Sequence, residues 1–177
     1  GLLWFYSASY KRILMLGNLT VAFISALVPL LVAMANAEYL SYVYSESLVY
    51  TPIIGTLYAW LGGFALFSFL LTWAREIVKD VEDIEGDREM ECRTIPIVWG
   101  ENVSKIIVSV ILFGVMSLIT YLTWYVLPFP SEWSSLLFRF SVFGLLTPLA
   151  CTIVLLWFAR TTREYHTVQQ VLKFVMF

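Results

Sequence analysis

Histidine is almost missing from this sequence, with His166 the single one in 177 residues, and cysteine is scarce, with only Cys92 and Cys151. Those shortages leave no set of soft ligands for a zinc or copper centre. One cysteine lies in a polar stretch and the other inside an apolar run, so no disulfide framework is implied and both are expected to be free thiols. Charge is sparse too, at 14% of residues, and no basic stripe is present, which excludes a nucleic-acid-binding surface. The small net charge of −2 carries no message of its own, because membrane proteins segregate charge by side. The start lacks the basic segment, short apolar core and small-residue cleavage site of a signal peptide.

What the sequence has instead is hydrophobic residues, at 60%, more than a soluble domain of this size buries. Four runs are long enough to cross a bilayer: Ile13 to Met34, Tyr50 to Trp73, Val103 to Leu127, and Leu136 to Ala159; a fifth begins near Val168. The expected fold is an all-α, polytopic transmembrane helical bundle of about five spans. Gly55, the pair Gly62 and Gly63, and Gly114 are expected to allow close helix approach in lipid, and Pro29 and Pro148 to kink their helices. Tyrosines 39, 42, 44 and 50 and the group Tyr121, Trp124, Tyr125 and Trp133 read as interfacial belts. The chain opens in the apolar run Gly1 to Tyr6 without a methionine and stops at Phe177 inside another apolar stretch, so it reads as a fragment.

Aspartate is confined to one place. Asp80, Asp83 and Asp87 are the only three, all in the polar segment 75–101 between the second and third spans. Arg75, Lys79, Arg88, Arg93 and Lys105 share that connection, whereas the loop before it has only Glu38 and Glu46. The positive-inside rule therefore puts the acidic segment in the cytoplasm. If the second helix runs on past the membrane surface, Glu76, Asp80, Asp83 and Asp87 fall within roughly 60° of one another on the helical wheel. Glu82, Glu85 and Glu89 then form a solvated face, and Gly86 is a candidate terminator before Asp87. Clustered carboxylates repel one another unless a cation sits among them. Mg²⁺ suits the pattern best, because it binds through one or two carboxylates and completes its shell with waters and substrate phosphate oxygens. His166, far off in sequence, reads as an interfacial residue rather than a ligand.

The run from Asp80 through Val-Glu-Asp83-Ile-Glu-Gly-Asp87 to Arg93-Thr94-Ile-Pro, preceded by Arg75-Glu-Ile-Val-Lys79, closely resembles the second aspartate-rich motif of the UbiA superfamily of intramembrane prenyltransferases. Its D-x-x-x-D core maps onto Asp83 and Asp87. Upstream, Tyr6-Ser7-Ala-Ser-Tyr-Lys11-Arg12 followed by Gly17-Asn18 is similar to the stretch that precedes the family's fifth helix. The wording is most similar to the geranylgeranylglyceryl-phosphate geranylgeranyltransferases within that superfamily. The resemblance implies the C-terminal part of a nine-helix fold and transfer of a prenyl group, geranylgeranyl for this branch, from its diphosphate. The acceptor would be a glycerol-phosphate-type lipid, or an aromatic compound in sister branches. It further implies Mg²⁺ held by Asp80, Asp83 and Asp87, with Lys11, Arg12 and Lys79 meeting diphosphate and Tyr6, Ser7 and Asn18 donating hydrogen bonds to substrate. The family also needs an earlier acidic motif, which no aspartate here can supply, so the missing N-terminal helices are expected partners and this stretch alone is expected to be inactive. A CDP-alcohol phosphatidyltransferase would show an Asp-Gly followed by Ala-Arg, which is missing. A transporter would carry acids inside its spans, where these four runs have none.

Overall fold

The computed structural model describes residues 15–44, 53–126, 136 and 138–176. Among them every regular element is helical, and four stretches are long and apolar enough to cross a membrane: Leu16–Asn36, Gly55–Glu82, Glu101–Trp124 and Phe140–Phe158. The protein is an all-α, polytopic membrane bundle. Helix α1 is Leu16–Tyr44 and α2 is Ile53–Glu82. Two short helices follow, α3 (Ile84–Glu89) and α4 (Ile95–Trp99), then α5 (Glu101–Tyr121). π-helical turns at Leu122–Val126 and Phe140–Leu146 lead into α6 (Thr147–Phe158), and α7 is Thr162–Met176.

Helix α2 passes the expected end at Trp73 because the sequence beyond it keeps a helical stripe. Ala74, Ile77, Val78 and Val81, spaced i, i+3, i+4, i+7, are all buried. That stripe meets Leu112 of α5, Leu149 and Leu156 of α6, and Leu172 of α7 in one core. On the outside, Phe23, Val110, Phe113, Phe143 and Phe158 are exposed, as lipid-facing positions are. Pairing of helices in such a solvent rests on packing and interhelical hydrogen bonds rather than on expulsion of water. The α1–α2 pair has such bonds: the hydroxyls of Ser25 and Ser68 lie 2.9 Å apart, and Thr72 Oγ1 donates to Ser25 Oγ at 3.1 Å.

Several expectations change. A Cβ placed on Gly55, Gly62, Gly63 or Gly114 would meet nothing within 4 Å, so these glycines do not mark close helix contacts among the described residues. Pro29 lies inside α1, and Pro148 follows directly on the π-helical turn Phe140–Leu146, where its missing N–H interrupts the helical ladder as α6 begins. The fifth apolar stretch is the end of α7, which starts before Val168. Its inner face is Tyr165, Val168, Gln169 and Leu172, while Arg163, Glu164, His166 and Gln170 are exposed. Helix α7 is thus amphipathic and packs along α2 and α6. Its start is tied by Glu164, whose carboxylate accepts from the backbone N–H groups of Arg160 (2.7 Å) and Thr161 (2.9 Å). Those bonds hold the Glu164 carboxyl below its ordinary range.

Helix α3 ends in a Schellman turn. Cys92 N–H donates to the Asp87 carbonyl (2.9 Å) and Glu91 N–H to that of Arg88 (3.2 Å), with Glu91 in the left-handed region at φ 55°. Glycine takes that conformation without strain. Glu91→Gly is therefore expected to raise stability by about 1 kcal/mol, read as a higher thermal midpoint in detergent; a lower midpoint would mean that the Glu91 side chain has a role the exposed position hides.

Candidate active site at the acidic segment

Where α2 leaves the bundle, its last two turns carry Glu76 and Asp80, and α3 brings back Asp87; all three side chains are buried. Asp83 sits between the helices, and the break falls there rather than at Gly86, which lies inside α3. The backbone of Asp83 adopts φ −94° and ψ 13°, the bridge region that ends a regular turn. Backbone bonds nevertheless continue across it, from Asp83 N–H to the Lys79 carbonyl and from Asp87 N–H to the Asp83 carbonyl, both 2.9 Å. The bend separates what the helical wheel put together: Asp83 is half exposed and faces Lys79, Nζ to Oδ2 3.9 Å, while Glu76, Asp80 and Asp87 stay inside.

Glu76 has a cation beside it, Arg75 Nη2 at 3.4 Å. Asp80 has no ion pair among the described residues. Its hydrogen-bond donor is a neutral amide, Asn18 Nδ2 of α1, at 2.7 Å to Oδ2. A buried carboxylate partnered only by an amide, with further carboxylates nearby, suits a hard divalent cation. Every donor here is oxygen, which keeps to the magnesium-like preference. Among the described residues no three acidic, histidine or cysteine side chains converge into a complete metal site, so this segment fits as one part of a coordination shell. Beside it opens a cleft of about 390 Å³ lined by Glu82, Asp83, Glu85, Gly86, Asp87, Met90 and Thr162.

Thr162 belongs to α7, which reaches this end of the molecule because Glu82 is not the solvated residue expected. Its carboxylate accepts from Gln169 Nε2 and lies 3.2 Å from Nδ1 of His166, both on α7. Glu85 and Glu89 are exposed, as expected. His166 is exposed but anchored to Glu82, a contact between residues 84 positions apart that no sequence pattern announces. Tyr6, Ser7, Lys11 and Arg12 lie outside the described residues. The two thiols are free, Cys92 buried and Cys151 exposed.

A second polar cluster escaped the sequence reading, which placed Lys105 in a loop. Lys105 is buried in the second turn of α5; its ammonium donates to the Ala159 carbonyl (2.8 Å), pairs with Glu101 (3.0 Å) and lies 5.3 Å from the Tyr165 ring centroid. The Tyr165 hydroxyl donates to Glu101 and is also 3.1 Å from the Ala159 carbonyl. Burial, with that bond to Glu101, pushes the Tyr165 hydroxyl's ionisation upward, so it remains a neutral donor. The i, i+4 spacing of Glu101 and Lys105 was the available signal.

With this geometry established, comparison with known proteins is decisive at the family level. The model of the UbiA prenyltransferase family matches residues 1–177. The chain belongs to the UbiA prenyltransferase family. Among curated relatives, digeranylgeranylglyceryl phosphate synthase of Thermococcus sibiricus is 38% identical over 106 residues, 59% of this chain and 31% of that protein. The proteins of that name from Pyrococcus furiosus (34% over 118 residues, 67% of this chain and 35% of that protein) and Methanobrevibacter smithii (35% over 107 residues, 60% and 32%) are similar. The chain thus spans about a third of the length of these relatives. No solved structure matches. For a UbiA member, the acidic segment at the end of α2, with its buried carboxylates, is the candidate site.

Proposed function

We propose that this chain is the C-terminal part of a membrane prenyltransferase, carrying one of its two acidic motifs. The full-length enzyme transfers a geranylgeranyl group from its diphosphate to a glycerol-phosphate-type lipid acceptor, with Mg²⁺ as the metal. The observation that carries this reading is the buried carboxylate of Asp80, in the field of Asp87, answered by an amide and by no salt bridge among the described residues. Asp80, Asp83 and Asp87 would hold the metal, which supplies neutralisation of the diphosphate charge as the C–O bond breaks. Lys79, half exposed at the edge of the segment, would meet a phosphate oxygen as a point charge, with Lys11 and Arg12 in the same role. The prenyl chain needs a dry, apolar space. A hollow of about 410 Å³ among Phe64, Phe67, Leu71, Ile119, Leu149 and neighbouring residues of the bundle has that character. The acceptor oxygen attacks the first prenyl carbon, diphosphate leaves with the bonding pair, and the acceptor's proton is lost to water. The excess of Arg and Lys around the segment favours its placement on the cytoplasmic side.

The test is diphosphate release by the purified full-length protein in detergent, given geranylgeranyl diphosphate with either geranylgeranylglyceryl phosphate or an aromatic acid. Mg²⁺-dependent transfer to the glycerol phosphate, abolished by chelation, is the expected result. Transfer to the aromatic acid alone would replace the acceptor, and release that ignores metal, or none, would overturn the reading.

A further inference from the structure

Asn18 and Asp80 are 62 residues apart, both about nine-tenths buried, and joined by one short bond between the first turn of α1 and the last turns of α2. The C-terminal end of a helix is an unfavourable place for an anion, because the backbone dipole is negative there. Asp87 and Glu76 add their own negative charges to the field at Asp80, and Lys79 offsets part of it. The Asn18 amide holds one Asp80 oxygen in place within that field. An arginine or lysine in place of Asn18 would hold it but cancel its charge; an amide fixes one oxygen and leaves the charge intact. Nor is this bond needed to join the helices, since Ser25, Ser68 and Thr72 bridge them about two turns farther along α1.

We propose that Asn18 is a positioning residue: its amide fixes the Asp80 carboxylate in the orientation that receives the divalent cation, and so sets the metal requirement of prenyl transfer rather than the cohesion of α1 and α2. This rests on the metal-dependent reading above. The sequence resemblance gave Asn18 a bond to substrate; the structure engages its amide with Asp80.

The test compares Asn18→Ala, Asp80→Asn and the exchange Asn18→Asp with Asp80→Asn in the full-length protein. Three quantities are measured: the Mg²⁺ concentration for half-maximal diphosphate release, Mn²⁺ binding by electron paramagnetic resonance without substrate, and the thermal midpoint. Removal of an outer-shell partner typically costs about ten- to a hundredfold in metal affinity, and Asn18→Ala is expected to raise the Mg²⁺ requirement and weaken Mn²⁺ binding to that extent. The exchange rebuilds an amide–carboxylate bond with the charge moved to α1; it is expected to restore the thermal midpoint but not metal binding. It also serves if Asn18→Ala folds poorly. Unchanged metal dependence in Asn18→Ala, or full recovery of metal binding in the exchange, would overturn the proposal. Wild-type metal dependence in Asp80→Asn would overturn it as well, while leaving Asp83 and Asp87 to be judged by their own substitutions.

Discussion

Asp87→Asn in the full-length protein is expected to lower diphosphate release by at least about a hundredfold, the scale on which a preorganised electrostatic contact to a reacting group acts, without loss of fold. Asp87 is buried in α3 with Asp80 nearby, and its main-chain carbonyl anchors the Schellman turn that ends the helix. Asparagine keeps the shape and the backbone bonds of the turn, so the fold should persist while activity collapses. Asp83→Asn should lose activity to a similar degree, with even less effect on stability, because Asp83 is half exposed and its Lys79 pair is long. Circular dichroism and thermal midpoint, measured beside turnover, separate the two effects. Near-normal turnover in either variant would remove that residue from the metal-ligand role.

The cluster at the base of α5 should dominate stability. Glu101→Gln is expected to cost about 2 kcal/mol, below the ~3 to 5 kcal/mol for breaking a fully buried pair, because Glu101 is 46% exposed and part of its loss is recovered by water. What makes it costly is the other side: Lys105 remains, with its side chain only 7% exposed and its ammonium facing only neutral acceptors, an amide oxygen and the Ala159 carbonyl, beside the Tyr165 ring. Lys105→Met removes that ammonium while keeping a similar apolar stem, and the Ala159 carbonyl still has the Tyr165 hydroxyl within reach. It should cost only about 1 kcal/mol. The order, with loss of the half-exposed acid worse than loss of the buried base, is the informative part. Reversible unfolding in mixed micelles would measure it, and a larger loss for Lys105→Met would mean that the pair holds the bundle by attraction rather than by compensation.

The family, the helical class and the acidic segment were all legible in the order of residues, because each is a local property. Hydropathy over about twenty residues marks a span, and Asp80, Asp83 and Asp87 stand alone in their residue type. The stripe from Ala74 to Val81 was equally readable and explains why α2 runs on to Glu82. What sequence could not reach was any relation across the bundle. A helical wheel assumes an unbroken axis, and the bend at Asp83 swings that side chain to the surface while Asp80 and Asp87 stay inside. Glu82 looked like solvent-facing charge until α7 folded back against it, and Gly55, Gly62, Gly63 and Gly114 looked like contact points, though among the described residues no neighbour lies against them.

Sequence alone thus determined that this is a membrane bundle with one acidic segment between its spans, since spans and charge clusters are written in contiguous residues. Only the tertiary structure decided which carboxylate is buried, that Asp80 is answered by the amide of Asn18, and that Lys105 lies within a cage made by Glu101, Ala159 and Tyr165. Those pairings depend on how separate helices are set side by side, and no periodicity within one helix encodes its register against another.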